Sequence, residues 1–444
     1  MKYAYTNVNV LDGNLDDEGK LVLQENTTVL VDDDTIVYIG KDGDINNRTI
    51  VDLKGKYMIP GLINLHVHLV PSIVEKPSKK KKSEKEAKPV DYDKIKSFLT
   101  SSKIGDTVAM TLLKSEIRNT INAGITTIRT VGGIANYDSR IRDMIKDNKL
   151  VGPRMYVANT AISVPGGHMA GLLAYEATSP EDAREYVRKI AETDPDLIKL
   201  MVTGGVLDAS ESGEPGVLKM DPEIIKAACE EAESLGYKVA SHTESPEGIK
   251  AALRGGVHSI EHGANPDREM LDLFKEKDAV LVATLSPALP YVYMDPEVTG
   301  LGELGKKNGT IVFNGIVECA KQCRNEGITV GLGTDTGCPY DTSYDMYREL
   351  EYYVAFCDVS ADEAISTATK TNARILGIDD ITGTIEKGKK ADLLICNEDP
   401  RANLNTLKQP YMVSANGNLI RKPEIKRIKV IEDALESIRP LWEK

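Results

Sequence analysis

Apolar and polar positions follow two rhythms along this chain. Over the first ten residues, Met1-Lys2-Tyr3-Ala4-Tyr5-Thr6-Asn7-Val8-Asn9-Val10, they alternate as in a half-buried strand. Similar short runs follow at Thr28-Val29-Leu30-Val31 and Thr35-Ile36-Val37-Tyr38-Ile39, with Gly, Asp and Asn at the joints. The same texture returns in Ala391-Asp392-Leu393-Leu394-Ile395-Cys396 and Tyr411-Met412-Val413-Ser414-Ala415. These runs predict one small β-sandwich built from both chain ends, residues 1–59 and 378–444, the second part closing on a terminal helix.

Between them, over 60–377, strand-like runs alternate with helical ones. The predicted strands are 62–68, 126–131, 154–159, 197–202, 238–242, 257–262, 279–285 and 329–335. Helices are expected from Asp106 to Ala123, Asp138 to Asn148, Pro180 to Thr193, Asp221 to Leu235, Ser245 to Arg254, Pro266 to Lys277 and Asn308 to Glu326. Ser179-Pro180-Glu181 and Ser245-Pro246-Glu247 carry the capping residue and first-turn proline that open a helix. Eight β/α repeats make an α/β fold, a (β/α)8 TIM barrel whose catalytic groups gather at the C-terminal ends of its strands.

Two stretches break this rhythm. Residues 71–105, with Lys79-Lys80-Lys81-Lys82-Ser83-Glu84-Lys85-Glu86, read as a flexible, solvated insertion, with a flap over the site as the other reading. The loop from Ser286 to Lys307 carries Pro287, Pro290, Tyr291, Tyr293 and Pro296, and is expected to shape a pocket with Tyr291 against the substrate.

Composition narrows the classes of function. At 444 residues the chain exceeds one ordinary core, and a net charge of −13 argues against a nucleic-acid partner. No apolar run approaches the roughly 18 residues that a membrane span requires. The first residues lack a signal-peptide core, and the six cysteines (Cys229, Cys319, Cys323, Cys338, Cys357, Cys396) form no disulfide framework. A cytoplasmic protein with reduced thiols, acting on a small molecule as a homo-oligomer, is the expectation.

Histidine changes the picture. Four of the six histidines end strand-like runs: His66 and His68 close 62–68, His242 closes 238–242, and His262 closes 257–262. Asp335 closes 329–335 in the same way. Imidazole with carboxylate is the ligand set of a hydrolytic zinc or manganese centre. Side chains at i and i+2 of a strand share a face, so His66 and His68 can hold one ion together. His258 sits lower on its strand and is expected to be structural or solvent-facing. Lys199, in the run 197–202, is either an outward lysine with its stem buried or, as a carbamate, an anionic ligand bridging two ions.

The segments Pro60-Gly61-Leu62-Ile63-Asn64-Leu65-His66-Val67-His68-Leu69, Ala123-Gly124-Ile125-Thr126-Thr127-Ile128-Arg129, Ser259-Ile260-Glu261-His262-Gly263, Gly333-Thr334-Asp335-Thr336-Gly337 and 383–393 resemble the amidohydrolase superfamily. Within it the chain is similar to the imidazolonepropionase-related branch that includes the Xaa-Pro and Xaa-Arg dipeptidases. The resemblance implies two divalent ions, with zinc the expected metal: one on His66, His68 and Asp335, the other on His242 and His262, with carboxylated Lys199 between them. It implies a bridging hydroxide that attacks the substrate carbonyl, and Asp335 as the group that takes and returns the proton. His168, after the third strand, is expected to contact substrate, a loop-stabilising hydrogen bond being its other role.

The chain departs from its relatives in places. Arg129-Thr130 stands where many have Arg-Asp, and Glu244 stands where dipeptidases often carry a tyrosine. Glu244 would repel a carboxylate and attract a cation or a hydroxyl, so it is a candidate substrate contact. The leading expectation is a binuclear hydrolase of a dipeptide or N-acyl amino acid. A mononuclear cyclic-amide hydrolase or deaminase is the alternative, and a catalytically inactive scaffold is a third.

Overall fold

The computed structural model describes residues 1–70 and 92–443. Strands from both chain ends meet in one eight-stranded sheet. Lys2–Leu15 pairs antiparallel with Leu21–Asp32 and parallel with Tyr57–Pro60. Tyr57–Pro60 then pairs with Leu393–Cys396, joining residues more than three hundred positions apart. A compact apolar cluster holds the two ends together: Tyr5, Val8, Val29 and Leu53 from one, Ile385, Leu393 and Met412 from the other.

The eight predicted central strands are all present. They are Leu62–Val67, Ile125–Thr130, Arg154–Val157, Leu197–Met201, Lys238–Thr243, Ser259–His262, Val280–Ala283 and Val330–Leu332. Their pairings are parallel and follow chain order, with helices between, an arrangement consistent with a TIM barrel. The third strand is split, a feature not foreseen: Arg154–Val157 pairs with the second strand, whereas the short strand Ala161–Ser163 pairs with the fourth.

The eighth strand returns to the first through backbone bonds from Asp335 N to His66 O (2.9 Å) and from His68 N to Thr336 O (2.7 Å). Gly333 permits this approach, because a Cβ there would lie 2.4 Å from His66 Cβ. The closure that brings Asp335 to the histidines therefore depends on a missing side chain.

Helix caps agree with the sequence: the Ser179 and Ser245 hydroxyls accept from Asp182 N and Gly248 N. Two expectations need correction. The stretch 286–307 is not a loop throughout; it holds the helices Leu289–Tyr293 and Pro296–Thr299, and the next helix, Gly302–Asn325, begins six residues before the expected Asn308. Pro290 and Pro296 sit in first turns, where a missing N–H costs nothing. Residues 92–105, assigned to the insertion, are helical in Tyr92–Ser101 and the start of Lys103–Asn122. The lysine-rich run 79–86 lies outside the described residues. Among the described residues, no helix is long and apolar enough to cross a membrane.

Candidate active site

The four histidines proposed as ligands and Asp335 lie at or just past the C-terminal ends of central strands, Lys199 lies midway along Leu197–Met201, and all are buried. His66 Nε2 lies 3.1 Å from Asp335 Oδ1, and His68 Nε2 lies 3.2 Å from the same oxygen. The rings of His66 and His262 are 4.8 Å apart, and those of His242 and His262 are 4.6 Å apart. Ligand atoms of His66, His262 and Asp335 cluster within 4.8 Å of one another, as do those of His242, Glu244 and His262. Glu244, expected only as a substrate contact, thus also stands within reach of the second group.

Two of these residues carry unusual backbone. His262 has φ 73° and Asp335 has φ 62°, the left-handed region that L side chains rarely adopt. Regular alternation would send Glu261 and His262 to opposite faces. The left-handed turn at His262 departs from it, and both side chains reach His66.

The outer partner of each ring fixes where its lone pair points. His66 Nδ1 bonds Glu261 Oε2 at 2.8 Å, and His68 Nδ1 bonds the Gly132 carbonyl at 2.8 Å. His242 Nε2 bonds the Gly204 carbonyl at 3.0 Å. Facing carbonyls and a carboxylate, these nitrogens are placed to donate, which leaves the lone pair of the other ring nitrogen to act as a ligand. For His66 and His68 that lone pair meets Asp335 Oδ1, itself an acceptor. His66 Nε2 and Asp335 Oδ1 are accordingly buried without a hydrogen-bond partner. Acceptors converging on one point need a cation between them, so the donor set fits a metal ion.

Charge is arranged to match. Burial pushes His262 and His242 well below the usual imidazole range, with neighbouring histidines adding to the effect, so both are neutral. Lys199 is 1% exposed, and burial, reinforced by Arg129, brings its amine down to about 8 despite Glu261 and Asp335. Among the described residues it forms no hydrogen bond or ion pair. The outward-facing alternative for Lys199 does not describe this side chain.

His168 stacks on His242 at 4.1 Å and pairs through Nδ1 with Asp208. Gly205 makes room for it, since a Cβ there would fall 2.4 Å from His168 Nδ1. Tyr291 and Glu244 line the same pocket as His168. Burial, with Asp335 and Asp208 nearby, pushes the Glu244 carboxyl well above its usual range, and its Oε2 has no hydrogen-bond partner among the described residues. His258 lies apart, exposed, accepting from Val239 N.

Residue reasoning missed the supports. Glu261 and Arg129 form a buried pair that orients His66, Asp208 anchors His168, and Cys338 Sγ lies 3.4 Å from Asp335 Oδ2. The available signal was two charged residues, Arg129 and Glu261, inside runs predicted to be strands.

The amidohydrolase family model matches residues 57–420. The chain belongs to the amidohydrolase family. Ochratoxinase of Aspergillus niger is 24% identical over 432 residues, covering 90% of this chain and 84% of the relative. Among solved structures, the chain is similar to a putative prolidase from Bifidobacterium longum, with a TM-score of 0.83, 31% identity and 98% of each chain covered. A Xaa-Pro dipeptidase with methionine bound in its active site gives a TM-score of 0.79 at 27% identity, over 95% of this chain and 100% of that one. The protein is a hydrolase acting on carbon–nitrogen bonds, as the motifs had implied.

Proposed function

We propose that this amidohydrolase is binuclear and cleaves a small amide, a dipeptide or an N-acyl amino acid. The observation that carries the reading is a convergence: two imidazole nitrogens lie 3.1 and 3.2 Å from one buried carboxylate oxygen, an arrangement that a cation would satisfy. His66, His68 and Asp335 would hold one ion, and His242 and His262 the other. Lys199 would lie between the ions as a carbamate. Burial supports this by bringing the amine down to about 8, since nitrogen must shed its proton to bond carbon dioxide, and a further proton leaves as the N–C bond forms. Bound divalent ions, zinc by this donor set, would polarise the amide carbonyl and lower the pKa of a water towards neutrality.

The remaining work belongs to the chain itself. Asp335 would accept a proton and return it to the leaving amine, a base becoming an acid. His168, braced by Asp208, would contact substrate beside Glu244 and Tyr291. The sheet from both chain ends is read as a sandwich domain that braces the barrel, on the support of their shared core.

A mononuclear reading draws on one observation, the tight group of His66, His262 and Asp335, which by itself suits a single ion. Metal counting with amine release separates the two. Two ions per chain, at least one lost in Lys199→Ala, with turnover of dipeptides or N-acyl amino acids, is the expected result. One ion in a fully active enzyme would overturn the binuclear reading.

A further inference from the structure

The seam between the first and eighth central strands is not an ordinary ladder. Among the described residues, Leu62–Val67 and Val330–Leu332 meet in one bridge, between Val67 and Thr336. Below that bridge, backbone groups facing the seam take side-chain amides as partners. Asn372 Oδ1 accepts from Leu332 N at 3.0 Å, while its Nδ2 donates to Leu332 O at 2.9 Å and to Ile63 O at 2.7 Å. Asn64 makes a second stitch: its Oδ1 accepts from Thr334 N at 3.1 Å, and its Nδ2 donates to the Thr334 hydroxyl at 2.9 Å.

Asn372 belongs to neither strand. It is 0% exposed and opens the helix Asn372–Leu376 directly after a wide π turn, Thr367–Thr371. Its amide offers two N–H donors and a carbonyl, and backbone groups of the two strands match all three, as a peptide of a neighbouring strand would. Gly331 leaves the room for it, since a Cβ there would lie 2.8 Å from Asn372 Oδ1. Loss of the amide would strand two carbonyls and one N–H in the interior, and buried backbone groups without partners force the chain to shift.

The seam divides the proposed ligands unequally. His66 and His68 stand on one side of it and Asp335 on the other, with 3.1 and 3.2 Å between their atoms. His242 and His262 come instead from the fifth and sixth strands, which run in a regular ladder from Ala240 and Ser259 to Thr243 and His262. A shift at the seam therefore moves the first group and spares the second.

We propose, resting on the binuclear reading above, that Asn372 is a positioning residue for the first metal group. It sets the separation of the two strands that bring His66 and His68 to Asp335. Asn372 hydrogen-bonds none of the ligands itself; it acts through the backbone of Ile63 and Leu332, in the strands that lead to them.

The test is zinc affinity of the full chain, read by competition with a chromogenic chelator in variants that keep one ion. His242→Ala should retain the ion on His66, His68 and Asp335, and adding Asn372→Ala should loosen it about tenfold or more, the scale of a lost support to a metal ligand. His68→Ala should retain the ion on His242 and His262, and adding Asn372→Ala should change its affinity by no more than about twofold, as for independent sites. Asn372→Ser, which keeps one hydroxyl for the seam, takes the place of Asn372→Ala if that variant does not fold. Ile190→Ala, a cavity in the helix Pro180–Ala191 away from the seam, controls for lost stability and should loosen neither ion.

Equal loosening of the two ions by the Asn372 variant, or loosening of neither, would overturn the proposal. So would an Ile190→Ala variant that loosens the first ion as much. A natural chain that takes up only one ion would overturn the binuclear reading instead; the role of Asn372 then stands if its variant loosens that ion and falls if it does not.

Discussion

Arg129 Nη2 donates to both carboxylate oxygens of Glu261 at 2.7 Å, and Glu261 in turn holds Nδ1 of His66 at 2.8 Å. Arg129 also donates through Nε to the Leu65 carbonyl and through Nη1 to Ser259. Burial would push the Glu261 carboxyl up, but Arg129 and His66 hold it well below the carboxylate range. A fixed anion beneath the cluster thus sets the tautomer of the first histidine.

Glu261→Gln should leave the fold in place and loosen the metal, because support of a ligating histidine of this kind is worth about 10–100-fold in affinity. Competition with a chromogenic chelator measures it; unchanged affinity would remove Glu261 from the metal site. Arg129→Met strands a buried carboxylate and should destabilise the protein by about 3–5 kcal/mol, read from urea unfolding.

Asp335→Asn should keep most of the bound metal and lose turnover by about 10²–10⁴-fold, the range of a removed general acid–base. Metal analysis beside amine-release assays checks it. Full activity in that variant would end the proton-shuttle role.

Activation should depend on pH through Lys199. The amine is brought down to about 8 by burial, so its neutral fraction grows as pH rises through that value. Zinc reconstitution of apoprotein should be slow at pH 6, fast at pH 8.5 and accelerated by added bicarbonate. Lys199→Ala should show no bicarbonate response. A rate indifferent to bicarbonate at every pH would speak against the carbamate.

Asp138 offers a stability prediction with a definite sign. It is 1% exposed, and burial raises its carboxyl to about 6 from 3.8. Between those values the folded state binds more protons than the unfolded one, so stability falls as pH rises through this window. The cost at neutral pH is about 3 kcal/mol and fades towards pH 4. Asp138→Asn should therefore be more stable than the natural chain at pH 7.5, with a smaller margin at pH 5. Denaturant titrations at the two pH values compare them, and an equal margin at both would contradict the assignment.

Much of this was legible beforehand. The eight central strands could be read because each is a short apolar run bounded by turn residues or helical periodicity. His66, His68, His242, His262 and Asp335 stood out because polar residues ended those runs. The helices within 286–307 were hidden because clustered prolines look like loop, yet fit a helix's first turn. The split of the third strand was hidden too, since Arg154–Val157 and Ala161–Ser163 pair with different neighbours and pairing is not a local property.

The sequence by itself determined the order of elements and picked out the candidate ligands, because burial periodicity and side-chain chemistry are written locally. Only the tertiary structure decided how those ligands face one another. That Glu261 orients His66, that Lys199 is buried beside Arg129 with no hydrogen bond among the described residues, and that His168 stacks on His242 depend on segments far apart in the chain. Gly333, Gly205 and the left-handed backbones of His262 and Asp335 set those approaches, and they act through distance and direction, which a linear pattern does not encode.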